Sequence, residues 1–336
     1  MFFEEIQKEF YRLVIPLHID SLRSANIYVI KGKDISLIVD TGMGDEKMFL
    51  ELLSSLDSIG VSLERSLVAV THFHIDHFGF VRKMQNFGAR FLLSRKDWEK
   101  AKRIRSQTLK EEVYSFLSLS GFPQDEQKIS FFEDVDEIYE VEENRCVEFA
   151  FHGQRIVIGN YEFLVFFTPG HTPGHLTLFE VKTGYYLSGD HILREISPTL
   201  QARKPEDDPL KEYFKSLHSV SKLPISRVLP SHGDPFHNAR ERIAELFAHH
   251  RRRLAEIISL IERGTKTIYE LASKMDWDSP TGDFYELPIK HKIFAMGEAL
   301  AHTNYLKNKG RIKYFFHPKG TIQMSLNLEV KRRCLR

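Results

Sequence analysis

The sequence predicts an α/β fold, because short apolar runs typical of buried strands alternate with longer stretches of helical periodicity. The strand-like run 66–70 is apolar and partly β-branched, and several such runs stop at a small residue followed by a histidine or an aspartate. The chain has 336 residues, which is enough for a large core and a second domain. We therefore expect a large α/β domain followed by a smaller one.

The first elements are a predicted hairpin and a helix. Residues 26–30 and 35–39 are strand-like and are joined by a polar turn that contains a glycine. Residues 45–59 then carry apolar side chains at near-helical spacing, and Gly60 follows as a C-terminal cap would. The hairpin is expected to enter the first sheet.

Four metal-ligand side chains lie within six positions after the strand-like run 66–70. They are His72, His74, Asp76 and His77. Alternation along extended backbone puts the first two on one side, and after a turn the other two can point to a second centre. Ordinary packing explains such a cluster poorly, because buried Asp and His each need a partner. Two adjacent metal sites are predicted.

Three more strand-like runs end in ligand-type side chains. A Thr-Pro-Gly-His-Thr-Pro-Gly-His segment follows 163–167, and its Pro and Gly residues make tight turns that aim a histidine from the strand end. His171 is the expected ligand and His175 the expected supporting residue. Two later runs end in the same way, one before Asp190 and the other before His232.

The order of these motifs resembles that of the metallo-β-lactamase superfamily. His-x-His-x-Asp-His is followed by Thr-Pro-Gly-His, Ser-Gly-Asp-His and Ser-His-Gly, and residues 38–42 match the early turn that contains an aspartate, here Asp40. The resemblance covers residues 38–235. It implies an αββα sandwich, in which two mixed sheets lie face to face with helices outside and the metals at one edge.

The resemblance also implies a complete set of seven ligands. It assigns His72, His74 and His171 to a first metal. It assigns Asp76, His77 and His232 to a second metal, and Asp190 is expected to bridge the two. Two divalent ions are expected. Zinc is the first choice, and a nitrogen and oxygen ligand set also suits iron or manganese. Asp40 is expected to hold a ligating histidine or the turn beneath it.

The expected nucleophile is a hydroxide bound by the dinuclear metal centre and aimed at a carbonyl or phosphoryl group. Asp76 is the candidate catalytic base, since it can orient the hydroxide and shuttle a proton. His191 is a second catalytic candidate. It could contact the substrate or support Asp190, and the sequence does not favour either role. Cys146 and Cys334 lie far from every ligand motif, so thiol catalysis is not expected.

Charge and composition limit the expected partners. The 47 basic and 46 acidic residues leave a net charge of +1, so no global field recruits nucleic acid or an anionic membrane. No apolar run approaches the roughly 20 residues of a membrane span. Acidic residues stand near the start, where a signal peptide would be basic. Two cysteines do not suggest a disulfide framework. We expect a cytoplasmic protein with no membrane partner.

Two segments are candidates for shaping the pocket. Residues 94–121 read as one or two helices, and residues 195–210 read as a proline-containing loop. The aromatic residues of the first segment are explained either by core packing or by a place at the pocket entrance. At the entrance they would favour a substrate with a sizeable apolar part.

After residue 237 the pattern changes to three helices and two strands. The predicted elements are 238–263, 267–275 and 290–307, followed by strands 311–316 and 321–326. This order is typical of a winged helix. We therefore predict a catalytic domain at 1–240 and a winged-helix-like C-terminal domain at 241–336, with a packing or homo-oligomerisation role favoured over nucleic-acid binding.

Two function classes remain open. The first is hydrolysis of a small-molecule thioester, lactone or carboxylic ester, as similarity to the glyoxalase II branch implies. The second is cleavage of phosphodiesters, as in an endoribonuclease. Balanced charge favours the first, because a polynucleotide needs many basic phosphate contacts. The complete ligand set disfavours both an iron-dependent persulfide dioxygenase and a non-catalytic metal-holding or DNA-binding module.

Overall fold

The structure is a computed structural model that describes residues 2–19, 22–104, 106–123, 138–139, 141, 146–277, 283–318 and 320–327. The chain divides into two compact units. The first consists of 1–104, 134–198 and 215–243, and the second of 105–133, 199–214 and 244–336. The predicted boundary at residue 240 stays a prediction. Cys334 lies outside the described residues.

The first unit contains a mixed sheet of seven strands, which neighbour one another in sequence order. The first four pair antiparallel. From the fourth to the seventh, each pair is parallel. The strands are β1 Phe2–Gln7, β2 Phe10–Ile19, β3 Leu22–Ile30, β4 Ser36–Val39, β5 Ser66–Ala69, β6 Arg90–Leu93 and β7 Val147–Phe149. The predicted hairpin is confirmed as β3 and β4.

A second mixed sheet has five strands in the order β12-β11-β10-β9-β8. β11 and β12 pair parallel, and the remaining pairs are antiparallel. The strands are β8 Arg155–Ile158, β9 Tyr161–Phe167, β10 Leu176–Glu180, β11 Tyr185–Gly189 and β12 Arg227–Pro230. The predicted α/β class with two mixed sheets is confirmed.

One buried apolar cluster joins the two sheets. Phe10 and Tyr28 of the first sheet pack in it with Phe163 and Val165 of the second. The ring centroids of Phe10 and Phe163 are 6.3 Å apart. Along β9, buried and half-buried residues alternate, as expected for a strand with one face on the core. Burial of this cluster holds the sheets face to face and so fixes where their strand ends meet.

Helices follow many of the strands. Their bounds are α1 Glu46–Ser58, α2 Ile75–Phe78, α3 Val81–Asn86, α4 Arg95–Arg103, α5 Ser106–Ser120, α6 Pro209–Val220, α7 Ala239–Glu262, α8 Ile268–Lys274 and α9 Ile289–Asn308. The Asp45 side chain caps α1 by accepting from Met48 N at 2.9 Å. The helix predicted at 45–59 is thus confirmed, and so are the two helices within 94–121. The predicted loop at 195–210 is irregular up to α6.

The second unit contains α8, α9 and the hairpin of β13 Ile312–Phe316 and β14 Ile322–Leu326. These bounds agree closely with the predicted elements. α9 buries eleven residues along its length, and they include His302 and Thr303. The winged-helix assignment itself stays a prediction. Within the described part of the chain, none of the helices has the length and hydropathy to cross a bilayer.

Candidate metal centre

The predicted ligands lie where strands of the two sheets end. His72 and His74 follow β5, and α2 then carries Asp76 and His77 on its single turn. The other three follow strands of the second sheet: His171 after β9, Asp190 directly after β11 and His232 after β12. All seven belong to the first unit. The face-to-face packing of the sheets therefore brings together residues that are up to 160 positions apart in sequence.

Three histidine rings form the first cluster. The Nδ1 atom of His74 lies 3.0 Å from Nε2 of His72 and 2.9 Å from Nε2 of His171. Burial, reinforced by neighbouring histidines, lowers the pKa of His72 well below its ordinary value and that of His74 to about 3. Neutral imidazoles have lone pairs to offer, so the converging nitrogens suit a cation.

Asp76, His77 and His232 form the second cluster. Asp76 Oδ2 lies 3.1 Å from Nε2 of His232 and 3.5 Å from Nε2 of His77. Burial raises the pKa of Asp76, but the neighbouring His77 and His232 lower it by more. The pKa therefore lies well below its ordinary value. The carboxylate is therefore ionised and adds negative charge to the second cluster.

Asp190 lies between the two clusters. Its Oδ2 atom is 3.5 Å from Nε2 of His171, in the first cluster. Its Oδ1 atom is 3.5 Å from Nε2 of His232 and 3.6 Å from Nε2 of His77, in the second. One carboxylate thus presents an oxygen to each cluster, which is the geometry required of a bridging ligand.

Unsatisfied buried atoms test whether these residues fit metal ions. Among the described residues, His77 Nε2, His232 Nε2 and Asp190 Oδ1 are buried and have no hydrogen-bond partner. Buried polar atoms without partners are costly, so a cluster of them indicates a ligand. The other ring nitrogens are engaged: Nδ1 of His77 donates to Asp40 Oδ2 at 2.8 Å, and Nδ1 of His232 donates to the Ser24 carbonyl at 2.8 Å. Each Nε2 atom therefore faces the carboxylates of the centre and can bind an ion in exchange for its proton, so the residues fit divalent ions.

Asp40 connects the loops that carry these ligands. It has a left-handed backbone (φ 66°) at the end of β4, a conformation that aspartate tolerates better than most residues. Its carboxylate accepts from Thr71 N at 2.7 Å, Thr71 Oγ1 at 2.9 Å and Ser231 Oγ at 3.0 Å, in addition to His77. Asp40 therefore holds a histidine of the second cluster and anchors the residues that precede His72 and His232.

Arg12 and Asn26 fix the loop after β12, and sequence analysis did not identify either. Arg12 Nε donates to Asn26 Oδ1 at 2.9 Å, and Nη2 donates to the Gly233 carbonyl at 3.1 Å. Asn26 Nδ2 donates to the carbonyls of Gly233 at 2.7 Å and Pro230 at 2.8 Å. These bonds hold the backbone before and after His232, at Pro230 and Gly233, and so restrict the position of the His232 ring.

His175 supports the backbone of the bridging aspartate. Its Nε2 atom accepts from Asp190 N at 3.1 Å, while Nδ1 contacts Thr168 Oγ1 at 2.8 Å. Gly189 has φ 51°, and a Cβ there would lie 2.8 Å from His175 Nε2. A side chain at position 189 would therefore displace the histidine.

His191 is buried in the first unit, and its Nδ1 atom lies 3.0 Å from the Tyr186 hydroxyl oxygen. Burial lowers the pKa of His191 to about 3, with a smaller effect from His171. A neutral, buried imidazole beside a tyrosine is compatible with a supporting role. Its catalytic role stays a prediction.

Residues 20–232 match the family model of the metallo-beta-lactamase superfamily. This match spans more than half of the chain, so the protein belongs to that superfamily. Homologues in this superfamily are metal-dependent hydrolases, and the protein is an enzyme of the same class.

Named relatives agree with this class. The chain is 25% identical over 307 residues to YqjP of Bacillus subtilis, described as a probable metallo-hydrolase, with 86% of this chain and 90% of the relative covered. It is 23% identical over 263 residues to the beta-lactamase-like protein 2 homolog of Caenorhabditis elegans, covering 77% and 73% of the two chains.

Two solved structures share the fold over nearly the whole chain. A beta-lactamase domain protein from Burkholderia ambifaria has a TM-score of 0.81 and 25% identity, covering 96% of this chain and 93% of its own. A metallo-beta-lactamase family protein from Thermus thermophilus has a TM-score of 0.78 and 23% identity, covering 96% and 100%. The similarity therefore extends beyond the residues that match the family model.

Proposed function

We propose that the protein is a dinuclear-metal hydrolase that cleaves an ester-like carbonyl compound, namely a thioester, a lactone or a carboxylic ester. The observation that carries the proposal is the position of Asp190, whose two oxygens face the two ligand clusters. His72, His74 and His171 would hold one ion, and Asp76, His77 and His232 the other. Zinc is the expected metal, and the nitrogen and oxygen ligands also suit iron or manganese.

When bound, two such ions lower the pKa of a water molecule and polarise the substrate oxygen. The protein side chains provide orientation and proton transfer. Asp76 is ionised in its buried position, so its carboxylate can hold the attacking water and accept its proton. Asp40 keeps the proton on Nδ1 of His77, which leaves Nε2 as the ligand atom.

The charge of the chain supports a small electrophilic substrate. With 47 basic and 46 acidic residues there is no overall positive field to attract a polyanion. A carbonyl substrate needs only the metal centre and the proton acceptor, whereas RNA binding requires many Lys or Arg contacts to phosphates. We therefore favour ester-type substrates, as in the glyoxalase II branch.

Phosphodiester cleavage is the second candidate, and one observation favours it. In the second unit, α8 and α9 precede the hairpin of β13 and β14, an order that is consistent with a winged helix. Winged helices in some proteins bind nucleic acid. Residues 241–336 contain 18 basic and 11 acidic residues, so this part of the chain is moderately basic. We nevertheless propose that it serves packing or self-association, because the whole chain is nearly neutral.

The experiment compares metal-replete wild type with Asp76→Asn on thioesters, lactones, aryl esters, a bis-aryl phosphodiester and a short RNA. We expect turnover of an ester-type substrate and a loss of about 10²- to 10⁴-fold in rate for Asp76→Asn, the usual contribution of a positioned proton acceptor. Asp57→Asn, at an exposed acid on α1, is the matched control and should retain activity.

Two results would change the proposal. Cleavage of the phosphodiester or RNA alone, with the same dependence on Asp76, would replace the substrate class by the second candidate. Equal rates for wild type and Asp76→Asn on every substrate would remove Asp76 from the chemistry.

A further inference from the structure

Asp97 is a buried carboxylate that contacts two ligand loops of the first cluster. The residue is only 1% exposed. Its Oδ2 atom accepts from Phe73 N at 3.2 Å and from Thr172 Oγ1 at 2.6 Å. Its Oδ1 atom accepts from Gly174 N at 2.6 Å. Phe73 stands between two histidines of the first cluster, and Thr172 directly follows the third.

The position of Asp97 is set by the start of α4. The Ser94 side chain caps this helix by accepting from Asp97 N at 3.1 Å. An acid three residues after a serine cap often turns back to bond the cap's own N–H. Both carboxylate oxygens of Asp97 instead accept bonds from the two loops. The Asp97 carboxylate therefore binds the two ligand loops and does not cap α4.

Close packing at Gly174 supports the same conclusion. A Cβ added at this glycine would lie 2.0 Å from Ser94 Oγ, 2.5 Å from Asp97 Oδ1 and 2.7 Å from Asp97 N. The loop that carries His171 is therefore pressed against the beginning of α4, and only a glycine allows this approach.

The arrangement is costly for the carboxyl group itself. Burial raises the pKa of Asp97 to about 6, although the hydrogen bonds from Thr172, Gly174 and Phe73 act to lower it. The charge of Lys96 also lowers this pKa, but it does so less than the three hydrogen bonds. A buried acid whose bonds all go to ligand loops points to a role in the site.

We propose that Asp97 is a positioning residue that joins the His72–His74 segment to the His171 loop and thereby sets the affinity of the first metal ion. The inference rests on the proposed function, in which these histidines hold a metal. The joined loops carry the Nδ1 atom of His74 and the Nε2 atom of His171, which are 2.9 Å apart. Without the hydrogen bonds of Asp97 to both loops, the distance between these two nitrogens would vary, and the first ion would be bound less tightly.

The test measures the affinity of each of the two metal ions by competition with a chelator. Asp97→Asn keeps the size of the side chain but replaces one acceptor oxygen by an NH₂ group, so it cannot accept from all three donors. We expect one ion to bind about 10- to 100-fold more weakly, the usual effect of losing a residue that orients a ligand. The second ion should change by less than about threefold, well below that range.

Three further variants show which ion is affected and whether the effect is specific to Asp97. His171→Ala removes a side chain of the first cluster alone and should weaken the same ion as Asp97→Asn. Thr172→Val removes one of the three bonds and should weaken that ion to a smaller extent. Glu99→Gln, at a partly exposed acid on the same helix whose ion pairs are with Arg95 and Lys102, is the matched control and should leave both affinities unchanged.

Melting of the metal-free proteins and the d–d spectrum of the cobalt-substituted proteins separate positioning from stability. A positioning role predicts an altered cobalt spectrum for Asp97→Asn. A lower melting temperature with wild-type affinities and spectrum would overturn the inference, and so would equal weakening of both ions. If Asp97→Asn does not fold, Thr172→Val decides by the same criteria. If wild type binds no metal, the proposed function and this inference fail together, whereas two ions with wild-type affinity in Asp97→Asn contradict only the inference.

Discussion

Asp40 Oδ2 accepts a hydrogen bond from Nδ1 of His77 at 2.8 Å, and the two side chains are 2% and 1% exposed. Burial lowers the pKa of His77, but Asp76, Asp40 and Asp190 together raise it well above its ordinary value. Without a bound ion, both ring nitrogens of His77 therefore carry protons. Asp40 retains the proton on Nδ1, so Nε2, which faces the second cluster, is the nitrogen that would release its proton to a metal ion. This relationship links the left-handed turn after β4 to the ligands on α2.

Asp40→Asn should weaken metal binding. The amide can accept only through its oxygen, so its NH₂ group must face either the Thr71 backbone N–H or the His77 ring N–H. We expect a loss of about 10- to 100-fold in affinity for the second ion, measured by chelator competition. Asp45→Asn is the control, because asparagine and aspartate cap a helix about equally well. Unchanged affinity in Asp40→Asn would contradict the role assigned to this bond.

Arg12→Ala should loosen the loop that carries His232. The change removes donors to the buried Asn26 side chain and to the Gly233 carbonyl, and it also removes the ion pairs with Glu4 and Asp234. We expect the free energy of unfolding of the metal-free protein to fall by about 1–3 kcal/mol, as for buried groups that lose a partner. Urea unfolding measures this change.

Arg65→Ala is the matched control for Arg12→Ala. The Arg65 side chain is 61% exposed, donates to the backbone carbonyls of Lys33 and Asp34, and lies 4.0 Å from the exposed Asp34 carboxylate. Its removal should change the free energy of unfolding by no more than about 0.5 kcal/mol, the usual range for surface positions. If both variants lost the same free energy of unfolding, the bonds of Arg12 would stabilise the protein no more than those of an exposed arginine, and the prediction would be wrong.

The pair His250 and His302 in the second unit should make stability depend on pH. His302 Nδ1 donates to the Glu298 carbonyl at 2.8 Å, and His250 Nδ1 lies 3.0 Å from Nε2 of His302. Burial lowers the pKa of His302 to about 4 and that of His250 well below its ordinary value, and the charge of Arg253 acts in the same direction. The folded protein therefore binds these protons more weakly than the unfolded chain.

For such depressed histidine pKa values, the stabilising contribution is complete above the unfolded value of about 6.5 and is lost as the pH falls towards the folded values. We expect the metal-free wild type to lose more free energy of unfolding between pH 6.5 and about 4 than His302→Gln does. The exposed His218, replaced as His218→Gln, is the control. Parallel pH profiles for wild type and His302→Gln would refute the prediction.

Much of the candidate site could be predicted because its signals are local. His72, His74, Asp76 and His77 lie within one short stretch of chain, and the other ligands each follow an apolar strand. Such patterns are visible in sequence, and the structure brings these side chains together. Their role as ligands stays a prediction that a metal measurement must test.

Among the supporting residues, Asp40 and His175 were predicted from their motifs, but Arg12 and Asp97 were not, because their partners are distant in sequence. Arg12 bonds Gly233 across 221 positions, and Asp97 bonds Gly174 across 77. A serine followed by an acid three residues later is typical of a helix start, but the pattern does not show where the Asp97 carboxylate points. The strand β2 was missed for a related reason, since Arg12 interrupts its apolar pattern and is buried only because of these distant bonds.

Removal of metal should destabilise the folded protein. The converging nitrogens and the buried Asp190 Oδ1 lose their partner when ions are absent, and a ligand that binds only the folded state stabilises it. At a free metal concentration of about 100 times the Kd, we expect about 2.7 kcal/mol of added stability per ion. Calorimetry with and without a chelator measures it. Identical melting temperatures in both conditions would argue against metal binding at this centre.

The seven ligand side chains, with Asp190 between the two clusters, are proposed to form one centre for two metal ions, and all the predictions on metal affinity depend on this. Elemental analysis of protein purified without chelator, combined with the protein concentration, tests it most directly. We expect about two divalent ions per chain in wild type, the number that a two-metal site holds, and fewer in Asp190→Ala. A reproducible value near one ion per chain, unchanged after reconstitution with zinc, iron or manganese, would contradict it.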